Sequence, residues 1–528
     1  MTRQDLLASL RSSDCLDLVV VGGGATGLGV ALDAALRGFS VALFEANDFA
    51  SGTSSRSTKL LHGGVRYLAQ GNIALVREAL AERATVLHLA PHLAQPLPFV
   101  MPSYACWQSP FYGAGLAMYD LLAGRAGLGR TRWLNKAQAM AALPGVRADG
   151  LRGGVQYWDG QFDDARLALA LARTAEAAGA RVLNHLPVQA IRPDVASPGQ
   201  GHVVTVQDRF SGEVLALRAR CVVNAAGVWV DDVRAQAVGG GQAPARMVSP
   251  SQGVHVVVDR TFLAGHSALL VPRTRDGRVL FAVPWLGKLV LGTTDTPRDD
   301  LPREPQAFAG ELAFILREAG QVLARPVTRA DIRSVWVGLR PLVAAPTPAE
   351  GGTQSLSREH TIVVDPGGLV TVTGGKWTTY RAMAEDVLER CFEAGLLPRR
   401  AGGTTARHRL VGAPPAGQEA VPIHQAPGLH LYGTEAGAVR ALAGAGRELG
   451  MGLTEAMVRH AVRAEYACTV EDVLARRWRS LFLDAGEAAA MAPAVADILV
   501  DEGLSQVGLD AFLDLCEHYR GHQIPTGG

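Results

Sequence analysis

The sequence has 528 residues, which is enough for two or three domains with substantial cores. A hydrophobic content of 48%, a charged content of 19% and a net charge of +1 describe an ordinary globular protein. No global basic field is present, so we expect no nucleic-acid partner.

The six cysteines are scattered and form no CxxC pair, so we expect neither a disulfide framework nor a metal site, and a reducing cytoplasm fits. The N-terminal stretch MTRQDLLASLRSSD lacks the apolar core of a signal peptide. No apolar run approaches the ~18 residues that cross a bilayer. These features predict a cytoplasmic protein and leave a peripheral membrane contact open.

The chain opens with a predicted βαβ unit. DLVVV at 17–21 is typical of a buried strand, GGGATG turns into a helix over 25–37, and SVALFE at 40–45 forms the next strand. Gly22 permits the tight turn, Gly24 lets the backbone approach a pyrophosphate, and Gly27 allows close helix–strand packing. Glu45 ends the second strand, where a carboxylate accepts ribose hydroxyls, which favours FAD or NAD over NADP.

The next segment favours FAD over NAD. It is ANDFASGTSSRSTKLLHGG at 46–64, rich in hydroxyls and backbone amides that line an extended pyrophosphate and ribityl chain, whereas an NAD enzyme usually continues with βα units. Two later turns, after the strands in RCVVNAAG (220–227) and GLVTVTGGKWTTYRAMAEDVLERC (368–391), give further cofactor contacts. The predicted cofactor-binding residues are Gly22, Gly24, Gly27, Glu45, Thr53, Ser54, Ser55, Lys59, His62, Gly63, Gly64, Ala226, Gly227, Gly375, Lys376 and Trp377.

Alternating patterns at 253–259, 278–285 and 288–295 indicate an antiparallel sheet in a second domain. After about residue 400 the chain becomes helical, with Thr454 and Thr469 as predicted N-caps. The predicted fold is α/β: a Rossmann-like FAD-binding domain (14–95, 150–245 and 360–400), an interleaved antiparallel-sheet substrate domain (96–149 and 246–359), and a C-terminal helical domain (401–528).

Several motifs in this order resemble the FAD-dependent (aerobic, respiratory) glycerol-3-phosphate dehydrogenases. They are GGGATG, SSRSTKLLHGGVRYL, VPWLGKLVLGTTD, VWVGLRPL, SREHTIVVD, VTGGKWTTYR and, in the helical cap domain, TVEDVLARRWRSLFLD. The resemblance implies hydride transfer from C2 of sn-glycerol 3-phosphate to FAD, giving dihydroxyacetone phosphate. It also implies membrane quinone as the electron acceptor, and therefore a peripheral position on the inner face of the cell membrane.

The resemblance places Arg66 and Tyr67 at the substrate, and Arg340, Arg358 and Lys376 match the other cationic positions. A phosphate dianion needs such cations, and arginine binds it bidentately.

The substrate hydroxyl also needs a proton acceptor. His62 is the first candidate for the base because its ordinary pKa lies near neutrality, and Arg340 is the second. The alternative that His62 only stabilises its own turn stays open. Lys376 is expected beside the flavin and the substrate as a third catalytic residue.

Other functions remain open from the sequence. One is a glycerol-3-phosphate oxidase that passes electrons to oxygen, and another is an FAD-dependent amine or hydroxy-acid oxidoreductase. A non-catalytic FAD-binding protein is disfavoured because the four cations Arg66, Arg340, Arg358 and Lys376 occur together. A homodimer is also left open.

Overall fold

In a computed structural model, the structure describes residues 3–64, 72–195, 201–237, 245–275, 277–344, 359–521 and 524. Within these residues, two large sheets and a C-terminal group of helices make up the fold. The α-helices are Arg3–Arg11, Ala25–Leu36, Ile73–Leu89, Gln108–Ala123, Lys136–Ala142, Asp164–Ala177, Val230–Ala237, Ala309–Val322, Tyr380–Glu393, Ala436–Arg440, Glu455–Ala464, Ser480–Leu483, Ala485–Asp501 and Leu509–Tyr519. Asp472–Arg477 forms a π-helical turn. Short 3-10 turns are Thr53–Ser55, Gly124–Ala126, Gly227–Trp229, Arg260–Phe262, Arg329–Asp331, Trp377–Thr379 and Leu429–Glu435.

The first sheet has a parallel centre, as predicted for a dinucleotide-binding domain. Its eight described strands are Leu16–Val21, Val41–Phe44, Arg181–Leu183, Val188–Pro193, His202–Gln207, Val214–Asn224, His360–Val364 and Leu369–Gly374. Leu16–Val21 pairs in parallel with Val41–Phe44 on one side and with Val214–Asn224 on the other. The carboxyl ends of these central strands therefore meet at one edge, where α/β sheets bind their ligands.

Both faces of the first sheet are covered, which explains the continuous apolar run of its opening strand. Leu18 and Val20 belong to the core beneath the helices Ala25–Leu36, Asp164–Ala177 and Tyr380–Glu393. Val19 and Val21 point to the opposite face and pack with leucines of the helix Arg3–Arg11. All four side chains are buried, so each face of this strand contributes to a separate core.

The second sheet is mostly antiparallel. Its ten described strands are Leu60–Leu61, Ala94–Ser103, Arg132–Asn135, Gly153–Phe162, Val248–Asp259, Ala268–Val271, Leu280–Trp285, Lys288–Gly292, Thr296–Pro297 and Ile332–Val343. Alternation along Val248–Asp259 sends Val254, Val256 and Val258 to one face, against the helix Ala309–Val322. Val257 points to the other face, against the C-terminal domain.

One part of the predicted domain division requires correction. The strand Gly153–Phe162, which we assigned to the FAD-binding domain from residue 150 onwards, pairs along its length with Ala94–Ser103 in the second sheet. Leu60–Leu61 also pairs in this sheet. Strand pairing across such sequence distances leaves no local signal in the sequence, so the boundary could not be read from composition.

The C-terminal helices include both predicted caps. Thr454 is the N-cap of Glu455–Ala464, and the Thr469 hydroxyl accepts a hydrogen bond of 3.2 Å from the Asp472 amide. A short third sheet, Glu448–Gly450 with Leu453–Thr454, precedes the first of these helices. Within the described residues, no helix combines the length and apolarity needed to cross a membrane.

Candidate active site

A cavity of about 1400 Å³ lies between the two large sheets and receives residues from both. Of the predicted residues, it is lined by Gly22, Gly24, Glu45, Thr53, Ser54, His62, Gly64, Ala226, Gly227, Arg340, Gly375, Lys376 and Trp377. Gly27, Ser55, Lys59 and Gly63 lie beside it but outside its lining. Arg66, Tyr67 and Arg358 lie outside the described residues. The structure thus brings thirteen of the predicted residues, among them the cations Arg340 and Lys376, into the lining of one cavity.

The glycines of the dinucleotide turn are required by close backbone contacts. Gly22 has φ +108°, and a Cβ there would lie 2.6 Å from the carbonyl oxygen of Ala225. A Cβ on Gly27 would lie 2.0 Å from the carbonyl oxygen of Gly22. The helix Ala25–Leu36 therefore begins tightly against the strand end, with its amide-bearing N-terminus at the cavity.

Glu45 lies at the same edge and is held by backbone amides. Its two carboxylate oxygens accept hydrogen bonds from Gly23 N at 2.7 Å and from Asn47 N at 2.8 Å. Burial raises the pKa of Glu45, while these two amides oppose the shift. A carboxylate has about four acceptor positions, so each oxygen keeps one for a ribose hydroxyl.

The segment of residues 48–59, called the Ser/Thr segment below, joins the two sheets across the cavity. The Thr53 hydroxyl donates to Leu339 O at 2.6 Å in the second sheet. The Ser54 hydroxyl accepts from Ala25 N at 3.0 Å, and Ser54 O accepts from the Trp377 indole at 2.8 Å. The segment is therefore fixed to the helix Ala25–Leu36, called the dinucleotide helix below, and to the turn at residues 374–377, called the GGKW turn.

Lys59, at the end of this segment, is turned away from the cavity. Its ammonium is fully buried and lies 2.7 Å from the Asp164 carboxylate. It also donates to Ser55 O at 2.6 Å. The described contacts of the Lys59 ammonium are therefore with the Asp164 carboxylate and the Ser55 carbonyl, outside the lining of the cavity.

Arg340 enters the cavity from the strand Ile332–Val343. Its guanidinium donates to Thr294 O at 2.8 Å and to Gln252 O at 3.2 Å, and it lies 3.3 Å from the Asp295 carboxylate. A buried arginine needs an anion, and Asp295 supplies one in part. With a side chain 22% exposed, the half-buried guanidinium is also accessible from the cavity.

His62 is half-buried and lines the cavity beside the GGKW turn, where its carbonyl accepts from the Thr378 hydroxyl at 3.4 Å. The next residue, Gly63, donates its amide to the Tyr119 hydroxyl at 2.9 Å. These contacts fix the backbone around His62, and both predicted roles of its side chain remain compatible with them.

Sequence reasoning missed a second imidazole in the cavity. His255 lies on the strand Val248–Asp259, stacks on Trp336 at 4.1 Å, and has its Nε2 2.9 Å from the Thr58 hydroxyl. Burial, reinforced by the charges of Lys59 and Arg340, lowers its pKa well below the usual value, so the ring is neutral. The signal was present in GVHVVVD, where a histidine interrupts an apolar strand. The Thr293 and Asp295 side chains were also missed, although LGTTD was recognised as a motif.

Comparison with known proteins shows which family the chain resembles. The family model described as "FAD dependent oxidoreductase" matches residues 17–388. The model described as "C-terminal domain of alpha-glycerophosphate oxidase" matches residues 404–504. A probable mitochondrial glycerol-3-phosphate dehydrogenase of Caenorhabditis elegans is 40% identical over 95% of this chain and 72% of its own length. The human mitochondrial glycerol-3-phosphate dehydrogenase is 38% identical over 94% of this chain and 72% of its own.

The chain belongs to the FAD-dependent glycerol-3-phosphate dehydrogenase family. A solved glycerol-3-phosphate dehydrogenase from Bacillus halodurans, complexed with FAD, superposes with a TM-score of 0.76 at 29% identity. The match covers 99% of this chain and 98% of the other. An L-α-glycerophosphate oxidase from Mycoplasma pneumoniae shares the fold, with a TM-score of 0.56 at 16% identity over 74% of this chain and 97% of its own.

The residues of this family member fit FAD. The cavity exceeds the ~300–1000 Å³ of a typical small-ligand site, as a dinucleotide requires. The turn at Gly22 and Gly27 leaves room for backbone only, and Glu45 retains acceptor positions for a ribose. The GGKW turn precedes a second helix, so two helix N-termini approach the cavity with their amide groups.

Proposed function

We propose that the protein oxidises sn-glycerol 3-phosphate to dihydroxyacetone phosphate with FAD as its cofactor. The observation that carries the proposal is a single cavity lined both by the dinucleotide turn and by the cations Arg340 and Lys376. A dinucleotide turn alone would suit many oxidoreductases. Cations in the lining of the same cavity suit a small substrate that carries a phosphate.

Arg340 is proposed to bind the anionic end of the substrate. Its guanidinium is anchored by the carbonyls of Gln252 and Thr294, so its orientation is set before a ligand arrives. Such preorganisation avoids ordering a long side chain during binding. Lys376 begins the turn Trp377–Thr379 and supplies a compact charge on the opposite wall. Arg66, Tyr67 and Arg358 are proposed to complete the phosphate and hydroxyl contacts.

His62 is proposed as the acceptor of the C2 hydroxyl proton, with Arg340 as the second candidate. When bound, FAD supplies the acceptor for the hydride that leaves C2. The hydroxyl oxygen on C2 must lose its proton as the C=O bond forms, and a half-buried imidazole that lines the cavity is suited to take that proton. His255, neutral and hydrogen-bonded to Thr58, is proposed to orient the substrate hydroxyls from the second sheet.

Membrane quinone is proposed as the electron acceptor, because an apolar surface adjoins the cavity. Exposed side chains on and just before the helix Gln108–Ala123 form a stripe at helical spacing: Trp107, Phe111, Met118 and Leu121, the last 81% exposed. Phe111 and Met118 also line the cavity. Exposed basic residues follow the helix at Arg125, Arg130 and Arg132. Apolar and basic groups together suit an anionic lipid surface, which supports a peripheral position on the inner face of the cell membrane.

Anaerobic reduction of the flavin is the direct test. Purified holoenzyme should lose its flavin absorbance on addition of glycerol 3-phosphate but not on addition of glycerol. A flavin that stays oxidised with glycerol 3-phosphate would overturn the proposed activity.

The membrane proposal has its own test. Leu121→Asp should weaken sedimentation with anionic vesicles at least about tenfold, whereas Val500→Asp, at another exposed apolar position, should leave it unchanged. Equal vesicle binding by both variants would contradict the assigned surface.

A glycerol-3-phosphate oxidase is the second candidate, favoured by the match of residues 404–504 to the C-terminal domain of alpha-glycerophosphate oxidase. The two functions differ in the electron acceptor. Peroxide formed in air, compared with reduction of a soluble quinone analogue, separates them. The sedimentation coefficient of the holoenzyme distinguishes a monomer from a homodimer.

A further inference from the structure

Three arginines of the C-terminal domain reach across the domain boundary behind the cavity. Arg476, Arg477 and Arg479, called the arginine clamp, lie where the π-helical turn Asp472–Arg477 ends and the chain turns sharply. Arg479 adopts φ +67°, a left-handed conformation that is uncommon for a residue other than glycine. All three side chains are buried, with exposures of 3%, 1% and 0%. A buried arginine needs acceptors, and each of these three has at least one in the FAD-binding domain.

Two arms of the clamp hold the beginning of the Ser/Thr segment. Arg476 and Arg477 both donate to the carboxylate of Asp48, and one of these bonds, from Arg477 to Oδ1, measures 2.9 Å. Asp48 is fully buried and also accepts from the Asn184 amide at 2.9 Å. It lies three positions after Glu45, so the clamp fixes the chain where it leaves the adenosine end of the cavity.

The third arm holds the far end of the segment. Arg479 donates to Ser55 O at 2.8 Å and to the Asp164 carboxylate at 3.2 Å. Lys59 donates to the same two groups, so the Ser55 carbonyl accepts from two buried cations. The guanidinium lies 4.2 Å from the ring of Phe482, which adds a cation–π contact. This end is therefore fixed by charge-assisted bonds between fully buried groups.

The residues between these two anchors form part of the cavity wall. Thr53 and Ser54 line the cavity, and Ser54 bonds both the first amide of the dinucleotide helix and the Trp377 indole. A loop with hydroxyls and amides in place binds a cofactor without losing further conformational entropy. The segment has its two ends held by another domain, and the clamp supplies that restraint.

We propose that the arginine clamp positions the Ser/Thr segment for FAD, so that the C-terminal domain is part of the cofactor site. The three arginines act through Asp48 and the Ser55 carbonyl and are positioning residues. This inference rests on FAD as the cofactor of the proposed function, and it adds a dependence of FAD affinity on residues outside the FAD-binding domain.

The test compares Arg479→Met with a matched variant, Arg166→Met. Arg166 is also buried and also bridges to the C-terminal domain, where it donates to Glu465 at 2.7 Å and to Arg477 O at 3.0 Å. Among the described residues, none of its hydrogen bonds reaches residues 48–59. Both variants should lower the Tm of the apoprotein, because each removes a buried interdomain cation. Only Arg479→Met should alter the cofactor wall.

The dissociation constant of FAD is measured by fluorescence titration of each apoprotein. Arg479→Met is expected to raise it at least about tenfold over the unmutated protein, and Arg166→Met less than about threefold. An FAD constant for Arg479→Met within threefold of the unmutated protein would overturn the proposal. An equal increase in both variants would do the same, because it would show a general effect of the interface.

A conservative pair keeps the test decisive if a methionine variant does not fold. Arg479→Lys retains the charge near Asp164 but lacks the planar fork that reaches the carboxylate, Ser55 O and Ala475 O together. It should raise the FAD constant at least about threefold, while Arg166→Lys leaves it within about twofold. Failure of the unmutated apoprotein to bind FAD would instead refute the proposed function, so the two failures are distinguishable.

Discussion

Adding a single methyl group at Gly253 should displace Arg340 without removing it. Gly253 lies in the strand Val248–Asp259, beneath the guanidinium. A Cβ at this position would lie 2.3 Å from Nη2 of Arg340 and 2.6 Å from Oγ1 of Thr293. Unstrained carbon contacts lie at about 3.5–4.0 Å, so the guanidinium must retreat by roughly 1 Å. The strand backbone is held by its ladder, so the side chain is the part that yields.

The size of the effect follows from this displacement. Retreat moves the guanidinium from its acceptors Gln252 O and Thr294 O, which belong to the rigid sheet. A misplacement of about 1 Å in a positioning group lowers catalysis up to about a hundredfold, or about 2.7 kcal/mol. We therefore expect Gly253→Ala to lower kcat/KM by about 10- to 100-fold. Crowding of the sheet should reduce the free energy of unfolding by about 1–3 kcal/mol.

Anaerobic stopped-flow reduction of the flavin by glycerol 3-phosphate measures this effect. Gly310→Ala is the matched control, since a Cβ there, on the helix Ala309–Val322, meets nothing within 4 Å. Arg340→Ala alone should lose at least about tenfold in kcat/KM. Adding Gly253→Ala to Arg340→Ala should lower kcat/KM by less than about threefold more, because the guanidinium that the new methyl group would displace is already absent. A Gly253→Ala enzyme within twofold of the unmutated rate, or an equal loss in the Arg340→Ala background, would refute the reasoning.

Three further substitutions have distinct expected outcomes. Gly27→Ala would place its Cβ 2.0 Å from Gly22 O, so it should abolish FAD binding in a spectral titration; retained nanomolar binding would contradict the tight turn. Trp377→Phe should lose the hydrogen bond to Ser54 O, worth about 1 kcal/mol, and raise the dissociation constant of FAD about fivefold. An unchanged dissociation constant would argue against a role of that hydrogen bond in FAD binding. Burial acts to raise the pKa of Glu465, but Arg166 and neighbouring charges lower it to about 2. The ionised carboxylate therefore stabilises the fold fully above about pH 4.5, and this stabilisation is lost as the pH falls through about 2. Glu465→Gln should lower the free energy of unfolding by about 3–5 kcal/mol at neutral pH. The difference in Tm between the variant and the unmutated protein should narrow below about pH 4.5, and a difference that widens on acidification would contradict the lowered pKa of Glu465.

The parts of the site that follow from local geometry could be predicted from the sequence. Gly22 and Gly27 act within one turn, and Glu45 directly follows the adjacent strand, so a short window contains all the information. The caps at Thr454 and Thr469 also act within three residues. Where the physical interaction spans few residues, spacing and residue type were sufficient.

The remaining features depend on partners distant in the chain. Lys59 looked like a loop cation beside a cofactor, yet its buried partner Asp164 comes from a helix more than a hundred residues later. The predicted helix after Thr469 is interrupted at Arg479, which has a left-handed backbone conformation. Because glycine is the usual residue in that conformation, an arginine there gives no sequence signal of the interruption. His255 was overlooked because a histidine in an apolar strand is equally consistent with a core position. Only the pairing of Val248–Asp259 with Ile332–Val343 brings it opposite Trp336, in the cavity that Arg340 also lines.

The first sheet has a consequence for the order in which the chain is synthesised. Its strand Val214–Asn224 pairs in parallel with Leu369–Gly374, and more than 300 residues separate this last strand from Val41–Phe44. Until the ribosome has made that strand, one edge of the sheet stays unpaired and its apolar faces are incompletely covered. The opening βαβ unit must therefore remain soluble through most of translation. Nascent chains that stop before residue 369 are expected to need chaperones, and the slow step of refolding should be closure of this sheet.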